Sequence, residues 1–263
     1  MCHVFRARPD CRDHALHQGL TLSAIDFGSR STLDELMDTE SVGFEEFRAC
    51  LVDLSRVNRW TLARRPTLAF LDRLAQRGLP PDRPLEVVDV GSGHGDMLRT
   101  IDAWAEQRGI PVSLTGVDLN PWSRRAASEA TACRRPIRWV TADAFAYDAP
   151  AGIDVVVSSL FAHHLPDPQV VRFLRWMEAC ARLGWLVNDL HRHPVPYYVF
   201  RRLARIARYH RFVQHDGPVS IARAFDRSDW RRLLGGAGIA ATDVTVTWWF
   251  PFRLCVERMK ASK

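Results

Sequence analysis

The sequence predicts an α/β protein built on a mostly parallel sheet with helices on both faces. Two observations carry this reading. From residue 85 onward, short β-branched runs alternate with segments of helical period, joined by the short connections that parallel crossover units use. The first run also ends in a glycine turn, Gly91-Ser92-Gly93-His94-Gly95, that opens directly into a helix. A chain of 263 residues is long enough for one large domain with a small cap.

Residues 1–30 mix Arg, His, Asp and isolated apolar residues without a sustained period, which reads as a loosely ordered arm. Residues 31–80 form the expected N-terminal helical lid. Within it the Thr32–Met37 stretch is followed by a helix over Phe44–Trp60, with Phe44, Phe47, Leu51, Leu54 and Val57 at helical spacing. A further helix over Pro66–Arg77 stops at Gly78 and Pro80-Pro81.

The main domain is expected over 81–263. Strands are predicted at Val87–Val90, Val112–Val117, Ile137–Thr141, Ile153–Ser158 and Trp185–Asp189, with helices at Asp96–Gln107, Trp122–Cys133 and Pro168–Ala181. Residues 191–225 break the rhythm and read as a substrate cap with one helix, about Pro196–Tyr209. A helix at Ser228–Leu234, a glycine cluster at Gly235-Gly236-Ala237-Gly238 and a terminal hairpin of Ile239–Val246 and Trp248–Glu257 close the chain.

The formal net charge is +6 and the pI is about 9.3. Of 36 basic residues only Lys260 and Lys263 are lysines, and the arginines are spread over the chain, so nucleic acid is not the expected partner. Cys2, Cys11, Cys50, Cys133, Cys180 and Cys255 form no C-x-x-C pair, which argues against a disulfide framework or a metal site. The spacing of His191, His193, His210 and His215 matches no zinc pattern either, and no metal is expected. Without a leader or an apolar run near the roughly 20 residues that span a bilayer, a soluble cytoplasmic protein is expected. On the cap helix, Arg201, Arg202, Arg205 and Arg208 lie opposite Val199, Leu203 and Ile206. This predicts one face on the core and one in water, with a membrane-surface or acidic-substrate role as the alternative.

The glycine spacing selects the ligand. A dinucleotide fingerprint is G-x-G-x-x-G, whereas Gly91, Gly93 and Gly95 make G-x-G-x-G and Asp96 stands where the third glycine would be. Asp89 and Asp96 would repel a pyrophosphate and suit a cationic sulfonium and ammonium. The glycines, lacking Cβ atoms, would let such a ligand approach the backbone of Gly91, Ser92, Gly93 and Gly95.

At these residues the chain resembles the class I S-adenosylmethionine-dependent methyltransferases, whose first motif is D-x-G-x-G-x-G after a strand. The resemblance implies a Rossmann-like, seven-stranded sheet with a terminal antiparallel hairpin. It also implies S-adenosylmethionine as cofactor and S-adenosylhomocysteine as product. Asp118, 29 residues after Asp89 at the tip of the second strand, falls at the ribose ligand, beside Leu119. Read alone, Asp118 is equally a helix cap before Pro121, although Asn120 can serve there instead. Asp143, with the Ala144 amide, falls at the adenine-binding third motif, and Ser158 at the end of the fourth strand.

The segment Asp154-Val155-Val156-Val157-Ser158-Ser159-Leu160-Phe161-Ala162-His163-His164-Leu165-Pro166-Asp167 resembles the fourth motif of quinone-biosynthesis and sugar O-methyltransferases. It lacks the N/D-P-P-Y/F clamp of enzymes that methylate planar nitrogens. His163 or His164 is the expected general base for a phenolic hydroxyl. Asp189, 25 residues after His164, is the expected orienting carboxylate, with His191 beside it as a further catalytic candidate. The bland alternatives are histidines that only pack the cofactor and an aspartate that caps the next segment.

Met37–Trp60, the Asn188–His193 run and the cap are similar to methyltransferases associated with bacterial type III polyketide synthases, which implies a small aromatic or polyketide-derived acceptor. Trp60, Phe161, Tyr197 and His215 are the candidate acceptor-side residues. O-methylation is the expected reaction. Ring C-methylation, an RNA methyltransferase and a non-catalytic cofactor-binding scaffold are the alternatives, and a homodimer is left open.

Overall fold

The computed structural model describes residues 25–133, 135–147, 149 and 152–260. The first 24 residues of the expected arm therefore lie outside the described residues. Its end does not hang free: Ser31 donates its backbone N–H to Ala222 O at 3.0 Å, and the Arg30 guanidinium lies 4.2 Å over the Phe225 ring.

Seven strands, β1 (Leu85–Val90), β2 (Val112–Asp118), β3 (Ile137–Thr141), β4 (Ile153–Ser159), β5 (Ala181–Leu190), β6 (Thr245–Trp249) and β7 (Arg253–Met259), form one sheet in the order β3-β2-β1-β4-β5-β7-β6. The pairs among the first five are parallel, and β7 runs antiparallel between β5 and β6. The helices are α1 (Leu36–Thr39), α2 (Phe44–Trp60), α3 (Arg65–Arg77), α4 (Asp96–Arg108), α5 (Pro121–Glu129), α6 (Asp167–Cys180), α7 (Pro194–Ile206), α8 (Arg211–Arg223) and α9 (Arg227–Ala237).

Alternate residues of the central strands go to opposite cores, which is why these strands read as continuous apolar runs. Val87, Leu114, Val155, Val157 and Leu186 pack with Phe70 and Leu71 of α3 and Leu98 and Ile101 of α4. Val88, Val90, Val156, Trp185 and Val187 pack with Phe173 and Leu174 of α6 and Trp230 and Leu233 of α9. The sheet is thus dry on both sides and holds the carboxyl ends of β1, β2, β4 and β5 at one edge.

The structure corrects several expected boundaries. Strand β5 starts at Ala181, directly after α6, because Ala181 turns extended and pairs with Ile153. Helix α5 stops at Glu129 rather than Cys133. The cap holds two helices, not one, separated at Arg208 in the left-handed region and restarted at His210, whose side chain accepts from Phe212 N. Gly217 lies within the second: a Cβ there would collide with Phe200, so its absence lets α7 and α8 pack together. The glycine cluster does not end α9. A capping box from Asp226 and Asp229 starts that helix, Trp230, Leu233 and Leu234 anchor it, and only Gly238 breaks it. The hairpin strands begin later than expected because Ile239 returns its N–H to Leu234 O and Ala241–Asp243 forms a 3₁₀ turn.

The expected burial of the apolar side of the cap helix is also corrected, while Arg202, Arg205 and Arg208 are exposed as expected. Tyr197 and Ala204 are its buried residues, whereas Val199, Leu203 and Ile206 face outward. No helix among the described residues is long and apolar enough to cross a membrane.

Candidate functional site

The carboxyl edge of β1 turns through three glycines with positive φ, at 72° for Gly91, 47° for Gly93 and 76° for Gly95. Glycine is needed here for backbone reasons, since other residues enter that region only with strain. The expectation that all three leave room for a ligand is corrected. A Cβ on Gly91 would lie 2.7 Å from the Phe161 ring, and one on Gly95 would strike Trp139. Only at Gly93 is the space open, with Leu51 Cδ2 at 3.9 Å as the one neighbour.

Four carboxylates mark the loop. Asp89 is buried, its Oδ1 has no hydrogen-bond partner, and burial together with Asp96 and Asp118 pushes its pKa well above the usual carboxylate range. Asp118 accepts from Gly93 N and Asn120 N, both at 2.9 Å, while burial raises its pKa against those two bonds. Asn120 caps α5 by accepting from Trp122 N at 2.9 Å, so the cap role falls to Asn120 and Asp118 braces the glycine loop. Leu119 beside it is exposed. Asp143 caps the 3₁₀ turn Ala144–Ala146 by accepting from Phe145 N at 2.9 Å, with Ala144 buried under it. Ser92 is buried, and the buried Ser158 hydroxyl donates to Val90 O at 3.1 Å, tying β4 to β1.

A buried, unpartnered Asp89 oxygen next to an open Gly93 suits a cation bearing no phosphate. It fits the sulfonium and ammonium of S-adenosylmethionine and would repel a pyrophosphate.

Strand β4 leaves the sheet through Leu160, which has φ 58° and gives its N–H to Asn188 O. A branched residue in that region is strained, and it starts the 3₁₀ turn Ala162–His164. The turn drops His163 onto β5. Asp189 Oδ1 lies 2.7 Å from His163 Nδ1, and its Oδ2 accepts the His163 backbone N–H at 3.1 Å. Both side chains are buried. Burial would raise the Asp189 pKa, but the His163 ring and the three bonds from His163 and Leu190 hold it below the usual range. A carboxylate at Nδ1 fixes the proton there by inference and leaves Nε2 as the basic nitrogen.

His164 sits in a different environment, its ring centroid 4.4 Å from that of His163. Its Nδ1 is 2.9 Å from Asp38 Oδ2 and 3.8 Å from Glu35 Oε2. Burial disfavours the charged ring, but the Asp38 bond and the Glu35 charge outweigh it and raise the pKa to about 9. The raised pKa favours the imidazolium form of His164 at neutral pH, so the two adjacent histidines stand in unlike settings.

Glu35 and Asp38 are the residues beside the histidine pair that the sequence reading missed. Glu35 is 1% exposed, accepts from Ser220 Oγ at 2.9 Å and places Oε1 3.8 Å from His163 Nε2. The backbone of the turn is held from below by two arginines. Arg30 donates to His163 O and Leu165 O, both at 3.0 Å, and pairs with Asp167 at 2.6 Å; Arg223 donates to His163 O at 3.2 Å and His164 O at 2.8 Å. Glu35, His163 and His164 bring one ligating atom each within 4.8 Å of one another.

Of the other candidates, only Phe161 is gathered here. His191 packs beside His193 at 5.8 Å, its Nδ1 lacks a partner, and no hydrogen bond or ion pair joins it to His163 or His164. Trp60 is 81% exposed at the end of α2. Tyr197 is buried edge-on against Phe27 at 5.5 Å. Phe161 packs on Phe173 at 5.5 Å, between the glycine turn and the histidine turn. His215 pairs with Asp216 at 2.8 Å, and Asp216 accepts from Leu36 N and Met37 N, so this pair props the segment that carries Glu35.

Residues 87–184 match the model of a family described as a methyltransferase domain. The chain is similar to the ubiquinone biosynthesis O-methyltransferase of Paracidovorax citrulli, 34% identical over 117 residues that cover 41% of this chain and 44% of the relative. It is 30% identical to that of Nitrosomonas europaea over 155 residues, 52% of this chain and 61% of the relative. The matches thus span less than two thirds of these relatives' own length. Among solved structures, a plantazolicin methyltransferase in complex with S-adenosylhomocysteine aligns with TM-score 0.56 at 13% identity, covering 82% of this chain and 96% of that one. Magnesium protoporphyrin IX methyltransferase from Synechocystis PCC 6803 with bound S-adenosylmethionine aligns with TM-score 0.53 at 16% identity, covering 89% and 100%. At those identities the likeness is one of fold.

Proposed function

From the premise that this chain carries a class I S-adenosylmethionine-dependent methyltransferase domain, we propose that it methylates a hydroxyl of a small, aromatic or polyketide-derived acceptor without a metal. The observation that carries this reading is the buried 2.7 Å contact between His163 Nδ1 and Asp189. The cofactor, when bound, supplies an electrophilic methyl group. Asp89, the Gly91–Gly95 turn, Asp118, Asp143 and the Ala144 amide are the residues that would hold it.

The remaining work belongs to the chain. His163 takes the acceptor's hydroxyl proton at Nε2, and Asp189 stabilises the imidazolium that forms. The fixed positive charge on His164 lies beside the oxygen as its charge develops and favours the phenolate. Glu35, whose Oε1 lies 3.8 Å from His163 Nε2, borders the position that the hydroxyl takes. The segment 31–60, with α1 and α2, and the cap 191–225 close over this edge and exclude water, while α3 packs on the face of the sheet. The relatives named for ubiquinone biosynthesis support an O-methyl product loosely.

Incubating the protein with S-adenosylmethionine and a panel of phenols, with an RNA control, tests the reading. Formation of S-adenosylhomocysteine together with a methyl ether is expected. A product methylated on ring carbon, or turnover with RNA alone, would replace it.

A further inference from the structure

The cap helix α7 exposes the side of itself that a globular protein normally buries. Tyr198, Val199, Leu203 and Ile206 are half exposed or more, with Ile206 at 76%, and Val195 extends the row by one turn. Val195, Val199, Leu203 and Ile206 fall on one side of the helix, opposite the buried Tyr197 and Ala204, with Tyr198 at its margin against Phe27. The row is about 16 Å long from Val195 to Ile206.

A second exposed apolar group lies at the same edge of the sheet. The tip between β6 and β7 carries Phe250, 68% exposed, and Trp248 is 42% exposed. The tip is fastened to the start of α7, because His193, the α7 cap residue, stacks on Phe252 at 5.4 Å and His191 N donates to Phe252 O at 2.9 Å.

Arg202 and Arg205 border the row along one side, Arg201 lies toward the buried side, and Arg208 follows the end of the helix. Arg201, Arg202, Arg205 and Arg208 have no carboxylate partner among the described residues, in a chain whose other arginines are mostly paired or bonded. No Asp or Glu occurs from residue 190 to residue 215. An apolar row bordered on one side by the unpaired Arg202 and Arg205, in a segment without acidic residues, matches a surface that is apolar inside and anionic at its boundary. Residues 1–24 offer no such match, since their charged residues are Arg6, Arg8, Arg12, Asp10 and Asp13.

We propose that α7, together with the β6–β7 tip, docks this protein on an anionic phospholipid surface, with the helix lying in the interface and its arginines on the headgroups. This docking does not depend on the identity of the methyl acceptor. Being part of the cap, α7 would present the catalytic edge to whatever apolar acceptor the surface holds.

Co-sedimentation of the full chain with phosphatidylcholine vesicles, with and without phosphatidylglycerol, tests the proposal. Binding is expected to the phosphatidylglycerol vesicles only, and to weaken as salt is raised. The double variants Arg202→Glu/Arg205→Glu and Leu203→Glu/Ile206→Glu should each lower partitioning by about tenfold or more, with unchanged circular dichroism. Wild-type protein left in the supernatant, or variants that bind as wild type does, would overturn the proposal. A lipid-free dimer that Leu203→Glu/Ile206→Glu dissociates would overturn it in favour of a second copy on this face. Cross-linking of residues 1–24 to Val199, Leu203 or Ile206 in a lipid-free monomer would overturn it in favour of residues 1–24.

Discussion

His164 Nδ1 and Asp38 Oδ2 lie 2.9 Å apart, across a sequence separation of 126 residues, and this contact makes two adjacent histidines chemically unlike. His163 faces a carboxylate buried in β5 and keeps a basic Nε2, while His164 is held as a cation by the N-terminal segment. The folded pKa of His164, about 9, lies above its ordinary 6.5. The latch therefore stabilises the fold fully below pH 6.5 and ceases to do so as pH rises through 9. Urea unfolding of wild type and Asp38→Asn should differ by on the order of 1–2 kcal/mol at pH 6 and converge near pH 10. A difference independent of pH would exclude the charged latch.

Asp89 is a buried acid whose pKa burial raises, so its ionisation opposes folding in the ligand-free protein. Asp89→Asn should unfold at equal or higher urea near pH 7, yet bind S-adenosylmethionine at least tenfold more weakly by calorimetry. Cofactor affinity of the wild type should fall as pH is lowered and Asp89 protonates. Wild-type affinity in Asp89→Asn would remove Asp89 from the cofactor site.

The three glycines of the turn should respond differently to alanine. Gly91→Ala and Gly95→Ala combine backbone strain with intrusion on Phe161 and Trp139, and should each cost about 2–4 kcal/mol in urea unfolding. Gly93→Ala meets only Leu51, and should cost about 1 kcal/mol while weakening cofactor binding. Equal losses of stability at all three positions would contradict this division.

Arg223 holds the carbonyls of His163 and His164, and acts on the base only through that backbone. Arg223→Gln should lower kcat about tenfold and leave cofactor affinity within twofold, with Arg223→Lys recovering part of the loss. Parallel changes in kcat and cofactor affinity would point to a general loss of structure instead.

Much of the sheet and the cofactor loop was legible because their signals are local. β-branched runs set the strands, and the spacing of Gly91, Gly93 and Gly95 with Asp89 and Asp96 set the ligand class. The His163–Asp189 pair was legible because both residues sit at strand ends that a parallel sheet brings together. Glu35 and Asp38 were not, since in the sequence they are acids of an ordinary amphipathic stretch, and only tertiary packing carries them to the histidines. The cap helix shows a second limit. Its period separates Tyr197 and Ala204 from Val199, Leu203 and Ile206, but both sets contain apolar residues, and periodicity does not say which side is buried. The strand and helix ends near Ala181 and Gly238 shifted because ladder pairing and an Asp226–Asp229 capping box outweighed local propensity.

The role of His163 is tested most directly by single-turnover methyl transfer to a phenol, measured for wild type, His163→Ala and Asp189→Asn with cofactor affinity determined in parallel. The His163–Asp189 base predicts a fall of roughly 10²-fold or more in the transfer rate for both variants, with cofactor affinity within about twofold of wild type. Transfer at the wild-type rate in His163→Ala would contradict it.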